Sequence, residues 1–92
     1  MNKKEVIESI VEMNNDEVSK TDTTTVIDSL LELITDSLSE QEEVVFTGFG
    51  KFYTTIRAAR KGRNPATGKA INIPEKIAIK FKPGKILKDN VN

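Results

Sequence analysis

The chain has 92 residues, with 14 basic side chains, 14 acidic ones and neither cysteine nor histidine. This excludes a thiol nucleophile, a histidine general base, a Cys/His zinc site and a disulfide framework, and no metal, cofactor or small-molecule substrate is expected. So short a chain with 37% apolar residues is marginal as a lone monomer, which points to oligomerisation. Its apolar stretches are too short for a membrane span or signal peptide, an expectation of an intracellular protein.

Two helices are predicted first. Asn2 followed by Glu5, and Ser19 followed by Asp22, have the spacing of helix N-caps with an acid at the third helical position. Val6, Ile7, Ile10, Val11 and Met13 form the apolar stripe of the first helix, and Asn14-Asn15-Asp16 the turn that ends it. The second helix carries Val26, Ile27, Leu30, Leu31, Leu33, Ile34 and Leu38, a stripe wider than one short helix needs. Its surplus is read as a subunit interface with Ile27, Leu30, Leu31, Ile34 and Leu38 in a dimer core. Thr23-Thr24-Thr25 is read as exposed positions at the start of that helix.

Strand character begins after Glu43. Val44 to Thr47 leads to Gly48-Phe49-Gly50, a tight turn, and then to Lys51 through Ile56. Residues 57–69 contain five bases, no acids and no large apolar side chain, so this stretch cannot bury itself. Asn64-Pro65-Ala66-Thr67-Gly68 is hairpin-turn chemistry. The expected form is one long two-stranded ribbon arm over about residues 55–75, with Pro65 near its tip. Ile77, Ile79 and Phe81 alternate as a strand returning to the core. After Pro83-Gly84, a short closing helix turns Ile86, Leu87 and Val91 inward. Phe49, Phe52 and Phe81 are read as core residues of the dimer rather than stacking platforms for bases. The fold class is therefore α+β in a single domain: a helical base over 1–45, a sheet and arm over 46–82 and a closing helix over 83–92.

Neutrality hides a division. Residues 1–45 carry a net charge of −9 and residues 46–92 a net charge of +9, an asymmetry that suggests a polyanion-binding surface.

Four segments carry a resemblance. These are Met1-Asn2-Lys3, Gly48-Phe49-Gly50-Lys51-Phe52, Arg57 through Pro65 with Thr67-Gly68, and Phe81-Lys82-Pro83-Gly84-Lys85 with Leu87-Lys88. In register over the whole chain, they resemble the HU and integration-host-factor family of bacterial DNA-bending proteins. The resemblance implies an intertwined dimer whose two β-arms enter the minor groove of double-stranded DNA with little sequence preference. It implies a wedge role for Pro65, which kinks the duplex, and a cytoplasmic, nucleoid-associated protein. The DNA-binding residues expected are Arg57, Arg60, Lys61, Arg63, Asn64, Pro65 and Lys69 on the arm, Lys82, Lys85 and Lys88 on the flank, and Lys3. A homodimer is expected, with a heterodimer left open. The alternatives are a site-specific bender like integration host factor, and a dimeric protein-interaction module whose basic arms bind an acidic partner. An enzyme is not expected. The chain departs from the family at Ser39-Glu40-Gln41-Glu42-Glu43, where a basic turn is usual, at Thr55, where an arm arginine is common, and in a helix-to-helix turn about two residues longer. The acids predict weaker wrapping and a shorter footprint.

Overall fold

The computed structural model describes all residues from Met1 to Asn92. Its elements are α1 (Lys3–Met13), α2 (Lys20–Ser39), β1 (Val44–Phe46), β2 (Gly50–Arg57), β3 (Arg60–Arg63), β4 (Ala70–Ile73), β5 (Lys76–Pro83) and α3 (Lys85–Val91). The chain divides into two compact units, Met1–Asp36 and Ser37–Asn92. No helix is long and apolar enough to cross a membrane.

In the first unit both helices begin where the caps predict. The Asn2 side chain accepts a hydrogen bond from the Glu5 amide at 2.9 Å, and the Ser19 hydroxyl accepts one from the Asp22 amide at 2.9 Å. Each satisfies one of the orphan N–H groups of a first helical turn. The turn after α1 is built from left-handed residues, with φ of 54° at Asn15 and 60° at Asp16. Asparagine and aspartate tolerate this region better than most residues with a Cβ. The threonine patch departs from expectation. Thr23 is buried, and its hydroxyl donates to the Ser19 carbonyl at 2.8 Å. Thr24 and Thr25 donate likewise to Lys20 and Thr21. A hydroxyl that bonds back one helical turn needs no water, so burial at Thr23 carries no desolvation penalty.

In the second unit a three-stranded antiparallel sheet runs β1-β2-β5, and β3 pairs with β4 in a separate two-stranded ladder. Gly48, at φ +85°, turns the chain between β1 and β2, a conformation that favours glycine. At Gly50 a Cβ would lie 2.6 Å from the Lys82 carbonyl oxygen and 2.8 Å from the Phe81 ring. No larger residue fits there. The space goes to a run of phenylalanine contacts: Phe46 edge-on to Phe52 at 6.4 Å between centroids, Phe52 to Phe81 at 4.8 Å, and Phe81 to Phe49 at 5.5 Å. Each such pair adds roughly 0.5–1.5 kcal/mol beyond the area it buries.

The expected ribbon is present, with one interruption in its ladder. Its ladder runs from Gly50↔Pro83 to Arg57↔Lys76, lapses, and resumes from Arg60↔Ile73 to Arg63↔Ala70. The register is unchanged across the gap, so Ala58 lies opposite Glu75 and Ala59 opposite Pro74 without ladder bonds. Pro74 has no N–H to donate, and two alanines offer little cross-strand packing to close the space.

One chain alone has almost no core. Ile7 and Leu38 are its only buried apolar side chains. Ile77, Ile79 and Phe81, predicted to return to a core, are exposed, Ile79 to 67%. In α3 the inward reading holds in part for Leu87, which is half-buried, and fails for Ile86 and Val91, which are exposed. Among the residues assigned to a dimer core, Leu30, Leu31, Phe49 and Phe81 are exposed and Ile27, Ile34 and Phe52 are half-buried, whereas Leu38 is already covered by its own chain. The reason is size: 92 residues drawn out into long strands cannot wrap their own apolar faces.

Candidate nucleic-acid interface

Because opposed residues in an antiparallel ladder point to the same face, the register sorts the second unit's side chains. On one face of β2 and β5 stand Phe52, Thr54 and Ile56 with Phe81, Ile79 and Ile77. On the other stand Lys51, Tyr53, Thr55 and Arg57 with Lys82, Lys80, Ala78 and Lys76. The unchanged register carries this division across the gap. Lys61 and Arg63 continue the basic face, with Asn72 and Ala70 opposite them. Arg60 falls on the other face with Ile71 and Ile73. Arg57 and Arg63 are thus separated from Arg60 by strand parity. Gly62 makes room for Ile73, whose Cδ1 would lie 2.8 Å from a Cβ at that position.

The basic face extends from the sheet to the end of the arm, and residues 57–74 contain no acid at all. At the tip the loop is tied by four hydrogen bonds. The Asn64 amide donates to the Lys69 carbonyl at 2.9 Å, and the Gly68 amide to the Asn64 carbonyl at 2.7 Å. The Ala66 amide donates to the Asn64 side-chain oxygen at 2.9 Å, and the Lys69 amide to the Thr67 hydroxyl at 3.4 Å. Pro65 stands exposed in this loop with no N–H left unsatisfied. Asn64, expected to touch DNA, has its side-chain oxygen engaged in holding the loop. Lys69 is exposed at the loop's far end.

Elsewhere the predicted residues are placed separately. Lys82 lies on the basic face, directly opposite Lys51. Lys85 and Lys88, three apart on α3, are exposed. Lys3 belongs to the helical unit and pairs with Asp28. The register also places Lys51, Tyr53, Lys76 and Lys80 on the basic face, four residues outside the set of DNA contacts expected from the sequence. For Lys76 and Lys80 the signal lies in Lys76-Ile77-Ala78-Ile79-Lys80-Phe81-Lys82, whose alternation sets lysines against apolar residues; Lys51 and Tyr53 join them only through the β2–β5 register.

A basic face carried on a two-stranded ribbon, ending in an exposed proline loop, matches proteins already known. The model of the family described as bacterial DNA-binding protein matches residues 1–92. The chain is 46% identical over 91 residues to DNA-binding protein HU 1 of Bacillus subtilis, covering 99% of this chain and 97% of that one. This chain belongs to the bacterial HU family. It is 47% identical over 92 residues to DNA-binding protein HU-1 of Halalkalibacterium halodurans, covering all of both chains. Among solved structures, the HU of Anabaena, crystallised with DNA, superposes with a TM-score of 0.86 at 34% identity, over 99% of this chain and 97% of that one. The HU fold of three helices, a small antiparallel sheet and extended arm strands is the fold seen here.

Proposed function

We propose that this HU-family chain is an architectural protein that binds double-stranded DNA as a homodimer and bends it through minor-groove arms, with little sequence preference. The observation that carries this reading is the basic face running from Lys80 and Lys82 on the sheet through Arg57 to Lys61 and Arg63 on the arm. Arginine suits a narrow minor groove, where the negative potential is strongest. That groove offers nearly the same acceptors for A·T and T·A, so a ribbon lying in it reads little sequence. Pro65, apolar, rigid and exposed at the tip, is the wedge. Its insertion costs a few kcal/mol of unstacking, offset by the wider interface that a bent duplex allows. The relatives' name as DNA-binding proteins and the Anabaena complex with DNA support the same reading.

The dimer follows from the other face. Phe81, Ile79, Ile77 and the exposed Leu30, Leu31 and Leu33 of α2 are too much apolar surface for a stable monomer. A second copy covers them, and 1–92 acts as one DNA-binding domain. Such a protein works in the cytoplasm, on the nucleoid. The test is a titration of the purified protein against linear, nicked and pre-bent duplexes at two salt concentrations. Tighter binding to nicked and pre-bent DNA, weakening steeply with salt, is expected. Equal binding to all three forms would rule out the bending role.

A further inference from the structure

The basic face of the sheet carries one carboxylate. The β1–β2 register pairs Val44 with Phe52 and Val45 with Lys51. Extended by one residue, it sets Glu43 opposite Tyr53, on the lysine side of the sheet and diagonal to Lys51. Diagonal neighbours in an antiparallel pair are within reach of long side chains. The Lys51 ammonium lies 3.4 Å from Glu43 Oε2 and 5.4 Å from the centre of the Tyr53 ring. Lys51 is therefore held between a carboxylate and an aromatic face. Lys76, Lys80 and Lys82, on the same face, have no such acid beside them.

We infer that Glu43 occupies Lys51 in the free protein and so limits how far a duplex wraps onto the sheet. The inference rests on the DNA-binding reading above. A phosphate reaching this corner must displace the Glu43 carboxylate before Lys51 can serve it. The displaced carboxylate then faces the same polyanion. Lys51 thus adds little to the affinity while Glu43 is present, whereas Lys80, one rung away, adds in full. The ion pair is exposed on both sides and is individually weak, so a phosphate can displace it. Glu43 acts as a positioning residue, setting the edge of the footprint through Lys51.

The test is a double-substitution cycle on the intact protein, read as affinity and salt slope on two duplexes. One duplex is long enough to pass the arms onto the sheet, and the other is too short to do so. Glu43→Gln is expected to tighten long-duplex binding roughly threefold to tenfold at low salt, and to steepen the slope by about 0.9 for each phosphate newly neutralised. Lys51→Gln is expected to change the slope little in the wild-type background and to cancel the steepening in the Glu43→Gln background. The short duplex is expected to respond to neither. Glu42→Gln removes a neighbouring exposed charge and is expected to leave the slope unaltered. The inference is overturned if Glu43→Gln and Glu42→Gln act alike, if Lys51→Gln has the same effect with and without Glu43, or if the short duplex responds equally. A wild-type protein whose binding ignores salt would overturn the DNA reading itself, a separate result from any of these.

Discussion

Both faces of the β2–β5 ribbon are open to solvent in one chain, for opposite reasons. On one, Arg57, Lys76, Lys80 and Lys82 leave charge uncovered. On the other, Phe81, Ile79 and Ile77 leave hydrocarbon uncovered. The charged face is stable in water as it stands and waits for a polyanion. The apolar face is not, and in the proposed homodimer a second copy covers it. On that proposal the same two strands serve assembly and binding at once, because strand alternation separates the two tasks to opposite sides. Exposure alone does not say which residues are functional; the chemistry of what is exposed does.

The contrast can be broken from either side. The largest effect is expected at Ile79, 67% exposed in one chain. If water were its true surroundings, Ile79→Asp would cost within about 0.5 kcal/mol, as surface changes do. Covered by a second copy, the buried charge should cost several kcal/mol instead, with concentration-dependent melting and loss of the dimer. Sedimentation and thermal unfolding at two protein concentrations measure this. Pro65→Ala comes next: the bend angle should fall, in a fluorescence-transfer assay on end-labelled duplex, while stability and salt slope stay near wild type. An unaltered bend would remove the wedge role. Smaller again is the parity difference along the arm. Arg63→Ala, on the basic face, should flatten the salt slope by about 0.9 for each phosphate it no longer neutralises. Arg60→Ala tests whether the opposite face, with Ile71 and Ile73, meets DNA at all. If only the basic face touches phosphate, its slope should not change.

Much of this was legible in the sequence because it rests on local chemistry. The Asn2 and Ser19 caps, the turn at Asn14-Asn15-Asp16, the proline loop at the arm tip and the short closing helix each announce themselves within a few residues. The phenylalanines do touch one another, as packing groups would, but Phe49 and Phe81 stay exposed in one chain. Features that depend on pairing across the chain were harder to see. The gap in the ladder at Ala58-Ala59 and Pro74-Glu75 needs the register, although Pro74 hinted at it. The burial of Thr23 depends on a hydroxyl bonding to the Ser19 carbonyl one turn back, which polarity alone conceals. The inward reading of Ile79, Ile86 and Val91 failed for one chain because apolar periodicity names a face to be covered without saying which copy covers it. Lys51 and Tyr53 take their place on the basic face only once β2 and β5 are aligned, whereas the alternation of residues 76–82 already sets Lys76 and Lys80 apart from their apolar neighbours.

The central claim is that the basic face of the sheet binds DNA together with the arm. The most direct measurement is the salt dependence of binding to a long linear duplex, for the wild type and for a variant carrying Lys76→Gln, Lys80→Gln and Lys82→Gln. The account predicts a folded dimer whose slope is shallower by roughly 0.9 for every phosphate left without its lysine, with weaker binding to match. An unchanged slope in that variant would contradict it and leave the arm as the whole of the interface.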